Sequence, residues 1–205
     1  MSEPRKRKSA ADRRAEIVET AIRLSAEIGP DRVTTQHLAD EVGVTQPAIF
    51  RHFATKGDIW LAVGDHIVAE MNGLHSDGPT DGGSDPHGDP HGALQRIVGH
   101  HFVHIAAKPA IPAILYSREL QAENDALRAK FSEVLDKRHL ALAGIIRDGQ
   151  DRGVLRADLV AEDAARLISE AVQGLSMRWL LDGCTYDIAD AGPRVLAPLF
   201  DAFRA

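Results

Sequence analysis

The sequence predicts an all-α protein of about nine helices, and three observations lead there. Apolar residues recur at helical spacing from residue 10 almost to the end, and Ser or Thr stands where each of the first four runs begins. No alternating apolar and polar stretch bounded by turn residues is long enough for a sheet. With 205 residues, 44% of them hydrophobic, the chain can bury a substantial core and does not have a disordered composition.

The elements follow in order. Ser9 with Asp12 three residues on has the form of a capping box, and Ile17, Ala21, Leu24, Ser25 and Ile28 then share one helical face until Gly29-Pro30 stops the run. Thr34 caps a second helix, with Val33 and Leu38 as the two halves of a hydrophobic staple, and Gly43 ends it after barely two turns. Thr45 caps a third helix, Gln46 to Phe53, stapled by Val44 and Ile49, with Pro47 in its first turn, where a missing N–H costs little. Thr55 with Asp58 opens a fourth through Trp60, Leu61, Val63, Ile67 and Val68 towards Met71. Residues 76 to 92, SDGPTDGGSDPHGDPHG, read as a mobile loop. Helical periodicity resumes over 93 to 107, roughly 109 to 121, roughly 124 to 151, 159 to 182, and 188 to 204, the last interrupted by Pro193 and Pro198.

Charge narrows the function. The formal net charge is -6, which excludes a protein that coats nucleic acid by bulk positive charge, yet residues 1 to 60 hold ten Lys/Arg against nine Asp/Glu, whereas the remainder holds fourteen against twenty-one. The first segment is therefore the one suited to meet an anion, and Arg5-Lys6-Arg7-Lys8 with Arg13 and Arg14 has the form of a basic arm or of a solvated tail. Cys184 is the single cysteine, so neither an intramolecular disulfide nor a multi-cysteine zinc site can form. No apolar run approaches the roughly 18 residues of a membrane span and no signal peptide is visible, so a cytoplasmic, nucleoid-associated protein without a membrane partner is expected.

Ala39, Gly43 and Ile49 stand at the spacing of a helix-turn-helix: a small residue where two helices touch, a glycine for positive φ in the turn, and an apolar anchor in the second helix. That second helix is expected to expose Gln46, Ala48, Arg51 and His52, with Lys56 just beyond, a surface suited to the major groove. A structural helix pair in some other α-protein has the same small-Gly-apolar pattern. The stretch VTTQHLADEVGVTQPAIFRHFATKGDIW, however, resembles the DNA-binding segment of TetR-type transcriptional repressors in the order and spacing of Thr, small residue, Gly-Val-Thr, aromatic, His-Phe and Lys. The close resemblance covers roughly residues 12 to 62. It implies phosphate contacts from Thr34, Thr45, His52 and Lys56, and base-edge or groove contacts from Thr35, Gln46, Pro47, Ala48 and Arg51. Phe50 stands where the family commonly has a tyrosine, so it offers packing or an apolar contact to a thymine methyl, and Pro47 stiffens a position that is often glycine or small.

The resemblance further implies a C-terminal ligand pocket and dimer interface. Ala161, Ala164, Ala165, Ile168, Ala171, Val172, Leu175 and Trp179 form a long apolar stripe, either a core face within the chain or, as the resemblance suggests, a seam that packs with 188 to 204 against a second copy. A two-fold homodimer presents two recognition helices to a palindromic operator. Pocket candidates are His101, Phe102, Ile105, Leu115, Tyr116 and Trp179, a mostly apolar lining that suits a small organic effector.

Of the ten histidines, His100 and His104 share one helix face four residues apart and form a weak two-ligand platform beside the Asp-rich loop with its own histidines, whereas His101 centres on the apolar stripe Leu94, Ile97, Val98 and Ile105. No metal and no cofactor are expected. Neither a phosphate-binding Gly-Lys-Ser/Thr loop nor a Gly-x-Ser-x-Gly elbow occurs, so no catalytic residue and no enzyme are expected; Glu119 and Glu170 read as solvated or salt-bridged. The sequence thus predicts residues 1–55 as a DNA-binding domain and 56–205 as a ligand-binding and dimerisation domain of a regulator released from double-stranded DNA by its effector. The competing readings are a metal sensor built on His100, His104 and loop histidines, and an all-α enzyme or scaffold that binds no DNA.

Overall fold

The computed structural model of the chain describes residues 9–77 and 88–205, with the side chains of 74–77 left aside. Ten α-helices make up the described residues: α1 (Ala10–Ile28), α2 (Thr35–Val42), α3 (Gln46–Phe50), α4 (Lys56–Asp77), α5 (Pro90–Ala107), α6 (Ala110–Leu115), α7 (Arg118–Glu123), α8 (Asp125–Asp151), α9 (Ala161–Leu181) and α10 (Ile188–Ala202). A short 3₁₀ turn, Pro30–Arg32, links α1 to α2, and among the described residues the one β-type pairing is an isolated bridge between Leu155 and Arg204.

The caps explain the boundaries. The Ser9 hydroxyl accepts from Asp12 N while the Asp12 carboxylate accepts from Ser9 N, and Thr55 and Asp58 repeat that reciprocal pair at the start of α4. Thr34 accepts from His37 N, with the His37 ring completing the box. Gly43 closes α2 at φ 72°, the left-handed region that glycine alone enters without strain.

Three expectations change. The segment 109–121 divides into α6 and α7, because Ser117 caps a new helix by accepting from Leu120 N and so stops the previous one. The expected loop is shorter at both ends: α4 continues to Asp77, and Asp89 caps α5 by accepting from His91 N and Gly92 N. Residues 78–87 of that loop, like the basic arm at 1–8, lie outside the described residues. Pro193 and Pro198 do not interrupt α10; they lie inside it, where packing compensates for the two missing N–H donors. At Gly192 an added Cβ would come within 2.5 Å of the Phe102 ring, which shows how closely α10 lies on α5.

Two apolar clusters form the core. The first joins α1, α2, α3 and α4 to α6, α7 and the first half of α8, with Ile17, Ala21, Ile49, Val63, Ile67, Ile114 and Leu127 fully enclosed. The second joins α5, the latter half of α8, α9 and α10 around Leu94, Val98, Phe102, Ile146, Ala165 and Ile168. The first cluster thus runs across residue 55, the expected domain boundary, and packs α6 to α8 against the helices of the helix-turn-helix.

Candidate nucleic-acid interface and effector site

The helix-turn-helix is built by α2 and α3 on the scaffold of α1 and α4. Val44 N donates to Ala39 O across the Gly43 turn, Ile49 is fully buried, and Gln46 Nε2 donates to the Thr35 hydroxyl at 2.7 Å, tying the two helices together. Of the ten expected DNA-facing residues, Thr34, Thr45, Pro47, Phe50 and Arg51 are exposed, and Gln46, His52 and Lys56 are half-buried. The Thr45 hydroxyl makes no cap bond. α3 ends at Phe50, so Arg51 and His52 lie in the turn after it.

Two residues do not face outward. Ala48 is 7% exposed, because it shares the inner face of a very short helix with Ile49. Thr35 is buried with its hydroxyl engaged by Gln46, so it positions Gln46 rather than reaching DNA itself. Arg14, expected in the basic arm, is also a framework residue: its guanidinium donates to the His52 carbonyl and lies 4.0 Å over the Phe53 ring. Arg13 likewise bonds Glu16 and the Val42 carbonyl.

Side-chain clips join this assembly to the remaining helices. Asn124 accepts from Leu127 N as the cap of α8 while its amide donates to Gly57 O at the start of α4, and the Ser117 hydroxyl donates to Asp31 at 2.6 Å. Further along α4, Glu70 gathers three cations or potential cations: Lys108, His66 at 3.2 Å and His104 at 3.9 Å. Burial would push the Glu70 carboxyl up, but Lys108, His66 and His104 together hold it below the usual range. Burial pushes His104 down, with Lys108 adding to and Glu70 opposing that effect.

The expected pocket residues are not brought together. Phe102, Ile105 and Trp179 are enclosed in the second cluster and Leu115 in the first, and Trp179 Nε1 donates to the Tyr186 carbonyl. Tyr116 alone of that set lines a groove of about 490 Å³, bounded also by Arg118, Gln121, Ala122, Arg128, Gln173 and Met177. His101 instead meets a residue that sequence reasoning missed, Arg138, whose Nη1 lies 3.1 Å from the His101 ring. The signal was present: Arg138 falls four residues after Val134 and four before Leu142 on the buried stripe of α8, yet between Lys137 and His139 it reads as part of a solvated charge run.

The expected dimer stripe is corrected as well. Ala161, Ala164, Ala165, Ile168 and Val172, with Trp179, are already buried within the chain, where α9 packs on α8, α10 and α6; Ala171 and Leu175 remain half-buried. The outer face of α9 exposes Leu167, Gly174 and Leu181, and α10 exposes Val195. Among the described residues no group of three His, Cys, Asp or Glu is placed to hold a metal ion: His100 is exposed, His104 faces Glu70, and His91 is buried against the Phe200 carbonyl at 3.1 Å. No described helix is long and apolar enough to cross a membrane.

Residues 17–63 match the family described as bacterial regulatory proteins, tetR family, and residues 84–202 match the YsiA-like protein C-terminal region. The HTH-type transcriptional regulator TtgR of Pseudomonas putida is 32% identical over 182 residues, covering 86% of this chain and 84% of its own. The fatty acid metabolism regulator protein of Bacillus subtilis is 24% identical over 181 residues, covering 88% and 90%. Among solved structures, a TetR transcription regulator from Haloarcula marismortui superposes with a TM-score of 0.77 at 22% identity, over 95% of this chain and 100% of that one.

Proposed function

The chain belongs to the tetR family of bacterial regulatory proteins, and from that premise we propose how it works as a ligand-controlled DNA-binding regulator. The observation that carries the proposal is the helix-turn-helix, whose short recognition helix and the turn after it keep Pro47, Phe50 and Arg51 exposed and Gln46 half-exposed, while Ile49, Ala48 and the Thr35–Gln46 bond hold the helix on α2. Arg51 and Gln46 read base edges, Phe50 and Pro47 offer apolar contact to a thymine methyl, and Thr34, Thr45, His52 and Lys56 meet phosphates.

Two copies form the working unit. The apolar and small residues left on the outer faces of α9 and α10, Leu167, Ala171, Gly174 and Val195, support a two-fold seam between copies, so that two recognition helices meet a palindromic operator. The groove at Tyr116 takes a small organic effector. An effector that binds better when the recognition helices are wrongly spaced weakens operator binding by the same coupling free energy, and no chemistry on the effector is required. The clips at Asn124 and Ser117 are the physical route.

Selection of bound sequences from a random DNA pool tests this directly and is expected to recover one palindrome. On that palindrome Lys56→Ala weakens binding to every sequence and lowers the salt slope by about one unit, whereas Gln46→Ala relaxes preference at one position by roughly 1–3 kcal/mol. Equal losses on operator and random DNA from Gln46→Ala would remove it from the base-reading set.

A further inference from the structure

Arg138 is the one Lys, Arg, Asp or Glu that is buried among the described residues, with 8% of its surface exposed. It stands on α8 at the seam between the two apolar clusters, one turn from Val134 of the first and one turn from Leu142 of the second. Its Nη1 donates to the His101 ring, and its Nη2 is fully enclosed with no hydrogen-bond acceptor. Among the described residues no carboxylate forms a hydrogen bond or ion pair with it; besides His101, the ionisable group that acts on it is the Tyr116 phenol. A guanidinium stays protonated even where burial works against it, so this is a desolvated positive charge without a counter-charge. Such a charge is costly unless a partner of opposite sign completes it.

Tyr116 links this charge to the surface. It lines the groove described above, and it lies within the electrostatic reach of Arg138. The groove lining holds Arg118 and Arg128 and no acidic residue; Arg128 is paired with Asp125 at 2.8 Å and Glu170 acts on Tyr116 from outside the lining, so Arg118 is the cation that an approaching anion meets first. One buried cation matches one negative charge; a dianionic phosphate would leave the seam with an excess charge.

We propose that Arg138 is the anion receptor of the effector site, and that the effector is a small organic carboxylate whose carboxyl group pairs with the free edge of the guanidinium while its apolar body lies towards Tyr116 and Met177. This rests on the reading of the Tyr116 groove as the effector site. Arginine suits the task because its N–H groups match two carboxylate oxygens in a plane.

The test compares acids with their neutral amides of the same shape. Benzoate against benzamide and octanoate against octanamide are added to the purified full chain, and thermal unfolding is followed for wild type, Arg138→Met and Arg138→Lys. At least one acid is expected to raise the wild-type Tm by several degrees while its amide does not. Arg138→Met, which keeps the packing and removes the charge, loses that response, and Arg138→Lys keeps a weakened one; should the methionine variant fail to fold, the lysine variant carries the comparison. Equal shifts from acid and amide, an unchanged response in the variants, or no shift with either acid overturn the proposal. Operator binding by the ligand-free protein is measured in parallel. If it is present while the acids fail, this inference falls and the regulator stands; if it is absent, the regulatory reading itself is struck.

Discussion

Arg14 and Arg51 belong to the same helix-turn-helix, and their surroundings give them opposite tasks. Arg14, although exposed, is held by the protein's own His52 carbonyl and Phe53 ring, so Arg14→Ala is expected to lower stability by about 1–2 kcal/mol in urea unfolding. Arg51 is exposed and holds no partner among the described residues, so Arg51→Ala leaves the urea midpoint unchanged and lowers operator preference by roughly 1–3 kcal/mol in a binding titration. A midpoint that moves with Arg51→Ala would make it a framework residue instead. Gly43→Ala forces a side chain into left-handed backbone and is expected to cost about 1–2 kcal/mol. At this scale the sequence was partly legible. The caps at Ser9, Thr34 and Thr55 follow from local chemistry alone, since each bond spans three residues. Which residue of a five-residue helix turns inward depends on its neighbour helix, which is why Ala48 and Thr35 were misplaced.

Helices α4 and α5 meet through Glu70, and their junction is expected to respond to pH. The folded state holds His104 below its ordinary value of 6.5, so the unfolded chain takes up that proton first, and stability falls as pH drops from above about 6.5 towards the lower folded value. Glu70 acts with the same sign at more acidic pH, because its depressed carboxyl contributes stability that is lost as pH falls through the folded value. Urea midpoints at about pH 7.5 and about pH 5.5 should therefore differ less in His104→Gln than in wild type. An unchanged difference would show that His104 has no part in it. Helix existence was legible wherever an apolar stripe ran for several turns, as in α1, α8 and α9. Breaks and continuations were not: Ser117 divides a periodic run by capping, whereas Pro193 and Pro198 sit within a helix that the Gly192 contact with Phe102 holds in place.

For the whole molecule, one sequence stripe proved to belong to the private core, and the outward face of the same helix is the one proposed to meet a second copy. Ala165→Asp places a charge in a site with 0% exposure and is expected to unfold the chain, whereas Val195→Asp, at 52% exposure, leaves helical content intact and splits the dimer. Sedimentation and circular dichroism of both variants check this, together with operator affinity, which for the separated Val195→Asp chain should fall towards about 10⁻⁴–10⁻⁶ M. A folded Val195→Asp variant that still sediments as a dimer would move the seam elsewhere. The fold class was legible because helical periodicity pervades the chain, but the partition of α9 between inner and outer faces required knowing that α8, with α10 and α6, already covers one side. Gly64 on α4 is buried against Leu127 of α8, and an added Cβ there would overlap the leucine side chain. That close approach makes Gly64 the point about which a tilt of α4 would turn. From Gly64 to Lys56 the arm is about 12 Å at 1.5 Å per residue, so a tilt of about 10° swings the end that carries the recognition helix by about 2 Å. In a two-fold pair the swings combine to about 4 Å against a half-site repeat of about 34 Å, enough to throw one helix out of its groove when the other is seated.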